Sequence, residues 1–346
     1  MSNLNKFSPF HTIVGYNLLE ELKNFTNSKT CIVTMEDLWG IFKIKIKTDT
    51  DIYFVNSLEE KFLEKEISKF NKYDTVIGLG GGQALDIAKY FAWKCKLKLF
   101  QFPTSLSVDA VFGHRSGIRR NNIVNYIGWA IPECIFIDYD IIKSAPIIYN
   151  YSGIGDVLCF YTGVLDWKYA VKKNKCEKKW EYDDQLASKS LSYVNDLLNN
   201  VNDIKLLNKN GINTIIKAHQ WGGNSFFSSG WNPRHIEGVE HFFFYNLELQ
   251  TKKKFIHGQP VCLGFILGCL LHNDYNEKFK NFFKEINFDI RPESMNLTWD
   301  EVKDSLKCLN KFINENNLWY GIGSDFVYSE DIFNKLVESV NDIYEK

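Results

Sequence analysis

Short apolar runs alternate with segments of helical spacing along the first 145 residues. The strand-like runs cover residues 30–34, 51–55, 75–79, 97–102 and 133–137. Between them, apolar residues recur at helical spacing over 18–26, 58–70 and 83–93. Because alternating strands and helices build sheets covered by helices on both faces, the pattern predicts an α/β domain with a mainly parallel sheet.

The hydrophobic pattern becomes helical after residue 140. The predicted helices cover 155–172, 183–200, 212–219, 259–271, 299–314 and 329–344. A turn-rich stretch, 138–146, ends in Pro146 and interrupts both patterns. A chain of 346 residues suits two packed domains. We therefore expect an α/β domain over 1–145 and an all-α domain over 146–346, with a cleft between them.

Charge and cysteine usage narrow the class of protein. The chain has 41 basic and 42 acidic residues, and its formal charge of −1 does not favour nucleic acid or an anionic membrane as a partner. Its eight cysteines form no CxxC pair, which is typical of a reducing compartment. The N-terminal MSNLNKFSPF has no apolar core of the signal-peptide type, and the most apolar stretch, 260–271, is too short to span a bilayer. We expect a soluble, cytoplasmic homo-oligomer that acts on a small molecule.

Three consecutive glycines follow the strand-like run at 75–79. They are Gly80, Gly81 and Gly82, and a helical segment starts near Gln83. Glycine at a strand-to-helix turn lets backbone N–H groups approach a phosphate, and the helix adds the positive end of its dipole. The spacing matches neither GxGxxG nor a Walker loop. The turn, including Gln83, is a candidate cofactor site or, alternatively, a tight turn that is rich in glycine.

Other polar side chains lie close to this turn in the predicted fold. Asp86 and Lys89 share one helix face, where Asp86 can bond the loop or a ligand; the alternative is a capping charge and a surface ion pair. The next strand leads into the turn FPTSLSVDA, in which Thr104 and Ser105 are candidates for cofactor binding. Asp109, in the same turn, is a candidate for contacting the reacting hydroxyl of the substrate. Ligands bind beyond the carboxyl ends of such strands, so both turns should lie side by side. An N-capped helix start is the alternative for this second turn.

Asp156, His241 and His257 are candidate metal ligands in the helical half. The two histidines lie 16 residues apart and lack the i, i+4 spacing of a helical zinc pair. A lone histidine beside apolar residues is more often a core residue, and Gly155-Asp156 before a helical run is also typical of an N-cap. Spacing alone leaves both interpretations open.

Five segments, taken together, carry a resemblance to known proteins. They are GLGGGQALDIAK (78–89), FPTSLSVDA (102–110), SGIGDVLCFYTGVLDWKYA (152–170), EGVEH (237–241) and IHGQPVCLG (256–264). Their order and separations resemble the superfamily of iron-containing alcohol dehydrogenases, glycerol dehydrogenases and dehydroquinate synthases across nearly the whole chain. GIGDVL and TGVLDWK most resemble the glycerol-1-phosphate dehydrogenase branch.

The resemblance implies a dehydroquinate synthase-like fold, in which a Rossmann-like NAD(P)-binding domain precedes an α-helical metal- and substrate-binding domain. It implies one divalent metal ion bound by Asp156, His241 and His257. Zinc is favoured, and nickel or iron(II) also suits the nitrogen and oxygen ligands. Asp109 matches a residue at the substrate. The cofactor residues implied by the resemblance are Gly80, Gly81, Gly82, Asp86 and Thr104.

Four positions, in three segments, depart from the family pattern. A small hydroxyl residue, often found four positions after the aspartate of the second turn, is Gly113 here, and a His-Arg pair follows it. The HGE sequence common in the family is HGQ, so Gln259 removes a carboxylate near the metal. A downstream Ser-His pair is replaced by Tyr245 and Asn246. These changes bear on the substrate rather than on the scaffold.

The implied activity is metal-dependent reduction of a ketose or ketose phosphate by NAD(P)H, with dihydroxyacetone phosphate to sn-glycerol 1-phosphate as the first choice. The metal would polarise the substrate oxygen, and the nicotinamide would supply the hydride. Arg234 is the first candidate for binding the substrate phosphate; a surface or interdomain salt bridge is the alternative. Glu36 or Asp37, after the first predicted strand, can accept a hydrogen bond from a ribose 2′-hydroxyl, which favours NAD over NADP.

Three other functions stay open. A sugar-phosphate cyclase of the dehydroquinate synthase type resembles the chain less, because its metal carboxylate is typically a glutamate, whereas Asp156 follows the dehydrogenases. A related polyol or alcohol dehydrogenase would use the same site on another substrate. A non-catalytic remnant would fit the changes at Asn246 and Gln259, but not the retention of all three candidate ligands.

Overall fold

The computed structural model describes residues 10–46, 50–120 and 123–345. Its contacts divide the chain into two compact units, Met1–Asn150 and Tyr151–Lys346. The first unit holds every strand of the described residues, and the second holds helices alone. The α/β-then-helical organisation predicted from the sequence is confirmed.

Six parallel strands form the sheet of the first unit, in the order β1-β8-β5-β4-β2-β3. A separate antiparallel hairpin pairs β6 with β7. In chain order the strands are β1 Thr12–Gly15, β2 Thr30–Thr34, β3 Asp51–Phe54, β4 Thr75–Gly80, β5 Lys98–Pro103, β6 Ser116–Arg120, β7 Ile123–Ile127 and β8 Cys134–Asp138. Since β4 and β5 are parallel neighbours, with Gly80 opposite Pro103, the turns after them start at the same edge of the sheet.

Helices cover both faces of this sheet. They are α1 Glu36–Ile46, α2 Glu60–Glu66, α3 Gly82–Cys95 and α4 Tyr139–Ser144, and 3-10 turns lie at 18–24, 67–70 and 109–112. A short helix, α5 Ile147–Ser152, spans the division between the two units. Along β4 the side chains alternate between two cores: Val76 packs with α2 and α3, whereas Ile77 and Leu79 pack with α1, α4 and the 18–24 turn. This alternation is the reason that a short apolar run becomes a strand buried on both faces.

The second unit is built from nine described helices. They are α6 Gly155–Lys172, α7 Asp184–Asn199, α8 Val201–Lys205, α9 Lys209–Ser228, α10 Val239–Thr251, α11 Gly258–Leu271, α12 Glu277–Ile286, α13 Trp299–Glu315 and α14 Glu330–Tyr344, with 3-10 turns at 178–180, 292–295 and 322–324. At the centre, α11 is buried from Gly258 to Cys269 and packs against α6, α10 and α14. The apolar stretch at 260–271 is therefore a core helix, and no described helix has the length and apolar character needed to cross a membrane.

Glycines let α11 approach its neighbours closely. A Cβ at Gly258 would lie 1.9 Å from the carbonyl oxygen of Ser152, and one at Gly264 would lie 2.6 Å from the carbonyl oxygen of Glu240. No larger residue fits at either position without moving the backbone. The starts of α6, α10 and α11 are consequently brought together at one place.

The two units divide after Asn150, five residues beyond the boundary that we placed at 145/146. The Asn150 side chain accepts a hydrogen bond from the Leu106 N–H (2.9 Å) and donates one to the Ile142 carbonyl (2.7 Å). These bonds tie Asn150, the fourth residue of α5, to the first unit even though Pro146 precedes this helix. The eight cysteines all lie within the described ranges, and none of them forms a disulfide bond.

Candidate functional site

Three helix starts converge in the second unit. Asp156 lies in the first turn of α6, His241 lies in the first turn of α10, and His257 immediately precedes α11. Asp156 Oδ1 lies 2.8 Å from His257 Nε2 and 3.8 Å from His241 Nε2. One donor atom from each of the three side chains lies within 4.8 Å of the other two. The residues that spacing alone left ambiguous therefore meet at a single point.

This arrangement suits a divalent metal ion. Two imidazole nitrogens and one carboxylate oxygen are a donor set typical of catalytic zinc, and it is also compatible with nickel or iron(II). The side chains of Asp156 and His241 are buried, whereas that of His257 is 22% exposed, so solvent reaches the cluster at His257. Asp156 does not cap α6, because the N-cap position is Ile154 and no side chain caps the helix there. The plain N-cap interpretation of Asp156 is wrong.

The local electrostatics favour a cation. Burial tends to raise the pKa of Asp156, but His257 and then His241 outweigh it and lower that pKa to about 2. Burial likewise tends to lower the pKa of His241, but Glu237, Glu240 and Asp156 raise it to about 9. Three carboxyl groups thus act on His241, and a cation bound beside it would face a negative field.

The sequence reasoning missed Glu237 and Glu240, although both stand in the EGVEH segment. Glu240 is fully buried, and its Oε1 lies 3.0 Å from His241 Nδ1, on the side of the ring opposite Asp156. Glu237 accepts a hydrogen bond from the Tyr245 hydroxyl (3.1 Å), and burial raises the pKa of its carboxyl group. The sequence shows that Glu240 is the neighbour of His241, but it does not show that the Glu240 carboxylate faces the His241 ring.

Two of the residues that depart from the family pattern, Gln259 and Asn246, form hydrogen bonds inside the helical unit. Gln259 is buried, and its amide donates to the Asp289 carbonyl (2.8 Å) and to the Ser294 hydroxyl (3.1 Å). Asn246 is also buried and donates to the carbonyl and the hydroxyl of Ser305 (2.7 and 2.9 Å). Both side chains therefore hold neighbouring segments of the helical unit in place.

Arg234, our first candidate for binding the substrate phosphate, forms hydrogen bonds to other protein groups instead. Its guanidinium is fully buried and bonds Glu177 through Nε (3.1 Å) and Nη2 (2.5 Å), while Nη1 donates to the Tyr320 carbonyl. The phosphate assignment is therefore wrong, because the guanidinium is buried and its three nitrogens already donate hydrogen bonds within the protein. Arg234 does form a salt bridge, but the bridge lies inside the helical unit and not at the surface or between domains as the alternative supposed.

The glycine turn of the first unit adjoins the second predicted turn. The Thr104 N–H donates to the Gly80 carbonyl (3.0 Å), and a Cβ at Gly81 would lie 3.8 Å from the hydroxyls of both Ser105 and Ser107. At Gly82 a Cβ would come within 2.8 Å of a Val108 methyl group. The predicted side-by-side placement of the two turns is thus what the structure shows.

The surroundings of the glycine turn are consistent with an exposed ligand site. Gly80 has φ +154°, which favours glycine, and α3 begins at Gly82 with the exposed Gln83 in its first turn. Glu36 and Asp37 are exposed in the first turn of α1, after β2, which is the strand next to β4. Glycines, hydroxyls and acids therefore occupy the ends of three neighbouring strands.

Asp86 and Lys89 form a buried pair rather than a surface one. Their charged atoms lie 2.7 Å apart, and the Lys89 side chain is only 1% exposed. Asp86 accepts a hydrogen bond from the Gly117 N–H. The surface-pair interpretation is wrong for Lys89, and Asp86 bonds the hairpin strand β6 instead of the glycine loop.

The Lys89 ammonium organises the segment that follows Asp109. It donates to the carbonyl oxygens of Ala110 (2.8 Å), Gly113 (3.3 Å) and Arg115 (2.6 Å). His114, which lies between Gly113 and Arg115 in sequence, is buried. Burial and the nearby Lys89 charge lower the pKa of His114 to about 4. Asp109 starts the 3-10 turn at 109–112, whose N-cap residue makes no side-chain capping bond, so the N-cap alternative for this turn is wrong.

Comparison with known proteins gives matches in sequence and in fold. Residues 28–146 match a family model described as "Iron-containing alcohol dehydrogenase". A glycerol-1-phosphate dehydrogenase, NAD(P)+, from Aeropyrum pernix is 29% identical over 263 residues, which cover 76% of this chain and 72% of that protein. Sequence similarity therefore extends well beyond the segment matched by the family model.

Solved structures share the fold at lower identity. A probable glycerol dehydrogenase from Sinorhizobium meliloti 1021 has a TM-score of 0.74 and 14% identity, over 96% of this chain and 97% of that one. A 2-epi-5-epi-valiolone synthase from Streptomyces hygroscopicus subsp. jinggangensis 5008, solved with NAD+ and Zn2+ bound, has a TM-score of 0.67 and 15% identity, over 99% of both chains. The resemblance carried by the five segments is thus confirmed, and glycerol-1-phosphate dehydrogenases are among the sequence relatives of this chain. In sequence and fold, the chain is similar to the superfamily of iron-containing alcohol dehydrogenases, glycerol dehydrogenases and dehydroquinate synthases.

Proposed function

We propose that this chain is an NAD(P)-dependent, divalent-metal-dependent dehydrogenase that reduces dihydroxyacetone phosphate to sn-glycerol 1-phosphate. The observation that carries the proposal is the convergence of donor atoms from Asp156, His241 and His257 within 4.8 Å of one another. Curated sequence relatives are named glycerol-1-phosphate dehydrogenase, NAD(P)+, which supports this choice of substrate and cofactor.

Asp156, His241 and His257 would hold the metal ion. A divalent ion at such a site acts as a Lewis acid on a substrate oxygen. The protein's own contribution is to fix three ligands on three helix starts and to leave the His257 side open to solvent, where a substrate can enter. We favour zinc among the ions that this donor set accepts.

The glycine turn would bind the nicotinamide nucleotide, which supplies the hydride when it is bound. The backbone at Gly81 and Gly82, at the start of α3, would approach the pyrophosphate, and the Thr104 and Ser105 segment would flank it. Glu36 or Asp37 would accept a hydrogen bond from the ribose 2′-hydroxyl, which favours NAD. Asp109 is our candidate for orienting the reacting hydroxyl.

A substrate and metal screen tests the proposal. Metal-free protein, prepared with EDTA, is supplied with zinc, nickel or iron(II), and oxidation of NADH and NADPH is followed with dihydroxyacetone phosphate, dihydroxyacetone and larger keto-sugar phosphates. We expect metal-dependent oxidation that is fastest with dihydroxyacetone phosphate. Activity that survives metal removal would contradict the metal site. If the protein prefers an unphosphorylated ketone, it is a polyol or alcohol dehydrogenase and the substrate proposed here is wrong.

The similarity to a solved synthase that binds NAD+ and Zn2+ keeps a sugar-phosphate cyclase as the second candidate. Such an enzyme would release phosphate from a sugar phosphate without net change in NADH. Steady oxidation of NADH without phosphate release would exclude this candidate, and the opposite result would exclude the dehydrogenase.

A further inference from the structure

Glu240 makes three contacts that are all internal to the helical unit. Its carboxylate is fully buried and accepts hydrogen bonds from the Gly238 N–H (2.6 Å) and the Thr162 hydroxyl (2.6 Å), and it faces His241 Nδ1 at 3.0 Å. A buried carboxylate is stable only when its oxygens are paired in this way. Glu240 is thus fixed from α6 and from the start of α10.

The contact between Glu240 and His241 determines which ring nitrogen is available for a metal. A carboxylate can only accept, so His241 Nδ1 must carry the proton of that hydrogen bond. The other nitrogen, Nε2, is directed toward Asp156, at 3.8 Å from Oδ1. A metal ion binds the neutral ring, in which Glu240 keeps the proton on Nδ1 and the lone pair of Nε2 points to the centre of the three candidate ligands.

We propose that Glu240 is the positioning residue of this metal site: it holds His241 in the Nδ1–H tautomer, fixes the ring orientation and makes Nε2 a stronger ligand. The inference rests on the proposed function, since it needs a metal ion at the cluster. Carboxylates that accept from a ligating histidine typically contribute a factor of 10–100 to metal affinity. Thr162 supports the arrangement because its hydroxyl holds the second oxygen of the Glu240 carboxylate.

A competing arrangement uses the same residues differently. Donor atoms of Cys159, Glu240 and His241 also lie within 4.8 Å of one another, and all three residues are buried. An ion held there would take Glu240 as a ligand and would bind His241 through Nδ1, the nitrogen that faces Glu240. Because the buried set has no exposed member, whereas the first set has His257, we assign the metal to the Nε2 side.

Asp166 provides a matched control for a purely structural role. It is also a buried carboxylate that holds the start of α10, since it accepts from the Val239 N–H (2.7 Å), and it further bonds the Ile322 N–H (2.9 Å) and His272 (2.9 Å). No hydrogen bond of the described residues links Asp166 to a candidate ligand. Loss of charge at Asp166 therefore weakens the packing of the helices without touching the metal site directly.

The test measures zinc affinity of the full-length, metal-free protein by competition with a chelating dye. Glu240→Gln keeps the shape and an accepting oxygen but removes the charge, so we expect zinc to bind about 10–100-fold more weakly, with a near-normal melting temperature of the metal-free protein. Asp166→Asn should lower the melting temperature and leave zinc affinity unchanged. Equal affinity of the wild type and Glu240→Gln, or an equal loss in Asp166→Asn, would overturn the positioning role.

A second measurement needs no variant. Nitrogen-15 spectra of histidine-labelled, zinc-loaded wild type should show His241 bound through Nε2 with a proton on Nδ1. Zinc on Nδ1 would overturn the inference in favour of the Cys159 set. Failure of the wild type to bind zinc would overturn the proposed function together with this inference, whereas tight binding that is indifferent to Glu240→Gln would overturn only the inference.

Discussion

At the scale of single residues, four buried polar side chains of the helical unit have defined partners. Glu240 faces a candidate ligand, whereas Gln259, Asn246 and Arg234 hold segments of the unit together. Burial makes these partners costly to lose, because a buried polar group that loses its hydrogen bond cannot regain it from water. Substitutions at these residues can therefore separate structural from chemical roles.

Gln259→Glu tests whether the amide at this position is structural. The amide donates to the Asp289 carbonyl, and an ionised carboxylate would present a second acceptor to that oxygen. We expect the free energy of unfolding at neutral pH to fall by about 1–3 kcal/mol in urea titrations. Because burial raises the pKa of the new carboxyl group and its protonated form can donate, part of the loss should be recovered below the pKa of the folded state. Unchanged stability at neutral pH would contradict a structural role.

Arg234→Met distinguishes a structural arginine from a phosphate ligand. Removal of the guanidinium leaves Glu177 and the Tyr320 carbonyl without their partner. The free energy of unfolding should fall by about 2–3 kcal/mol, which is less than for a fully buried pair because Glu177 keeps contact with solvent. The result that would restore the phosphate assignment is unchanged stability with a strongly raised KM for dihydroxyacetone phosphate.

At the scale of elements, the glycine turn shows why one glycine can be tested apart from its neighbours. Gly81 has φ −79°, which any residue adopts, and an added Cβ would meet only two hydroxyls at 3.8 Å. Gly82 has no such room, because a Cβ there would contact Val108 at 2.8 Å. A glycine that neither backbone strain nor packing requires is best explained by close approach of a ligand.

Gly81→Ala should therefore leave the melting temperature unchanged and weaken NADH binding about tenfold, as expected when a methyl group displaces one backbone hydrogen bond to phosphate. Fluorescence titration with NADH measures the affinity. Gly40→Ala is the control, since Gly40 is exposed in α1 and its Cβ would meet nothing within 4 Å. Equal NADH affinity of Gly81→Ala and the wild type would contradict the cofactor assignment of this turn.

Some elements with one dominant periodicity were predicted closely, but others were missed, including α12, whose apolar residues also keep helical spacing. β2 and α6 were predicted with the observed bounds because a continuous apolar run and an uninterrupted helical pattern define them. α1 was missed because its end, IFKIKI, alternates like a strand, although Phe42 and Ile46 are buried four residues apart on one helix face. α10 was missed because it is buried on nearly all sides and so lacks a polar face.

At the scale of the whole molecule, the candidate metal ligands come from three helices whose starts are distant in sequence. Periodicity predicted α6 and α11 but could not show that their starts meet, because close approach depends on Gly258 and Gly264. The resemblance of five segments supplied that information before the structure did. Glu240 needed the structure, since only geometry shows that its carboxylate faces His241 Nδ1.

Metal binding should stabilise the helical unit by mass action. If zinc binds only the folded state, a concentration of about 100 times its Kd adds about 2.7 kcal/mol, which corresponds to roughly 5–10 °C in melting temperature for a unit of this size. We expect EDTA to reverse this shift and His241→Ala to abolish it. A shift of the same size in His241→Ala would place the stabilising zinc elsewhere.

The central claim is that Asp156, His241 and His257 form a metal site on which turnover depends, and His257→Ala tests it most directly. His257 is the most exposed of the three, so its loss should spare the fold. The measurement compares the wild type and the variant for bound zinc per chain and for zinc-dependent NADH oxidation with dihydroxyacetone phosphate. We predict one zinc and turnover in the wild type, and neither in a variant with an unchanged far-UV circular dichroism spectrum. Retention of tight zinc binding and turnover by the variant would contradict the claim.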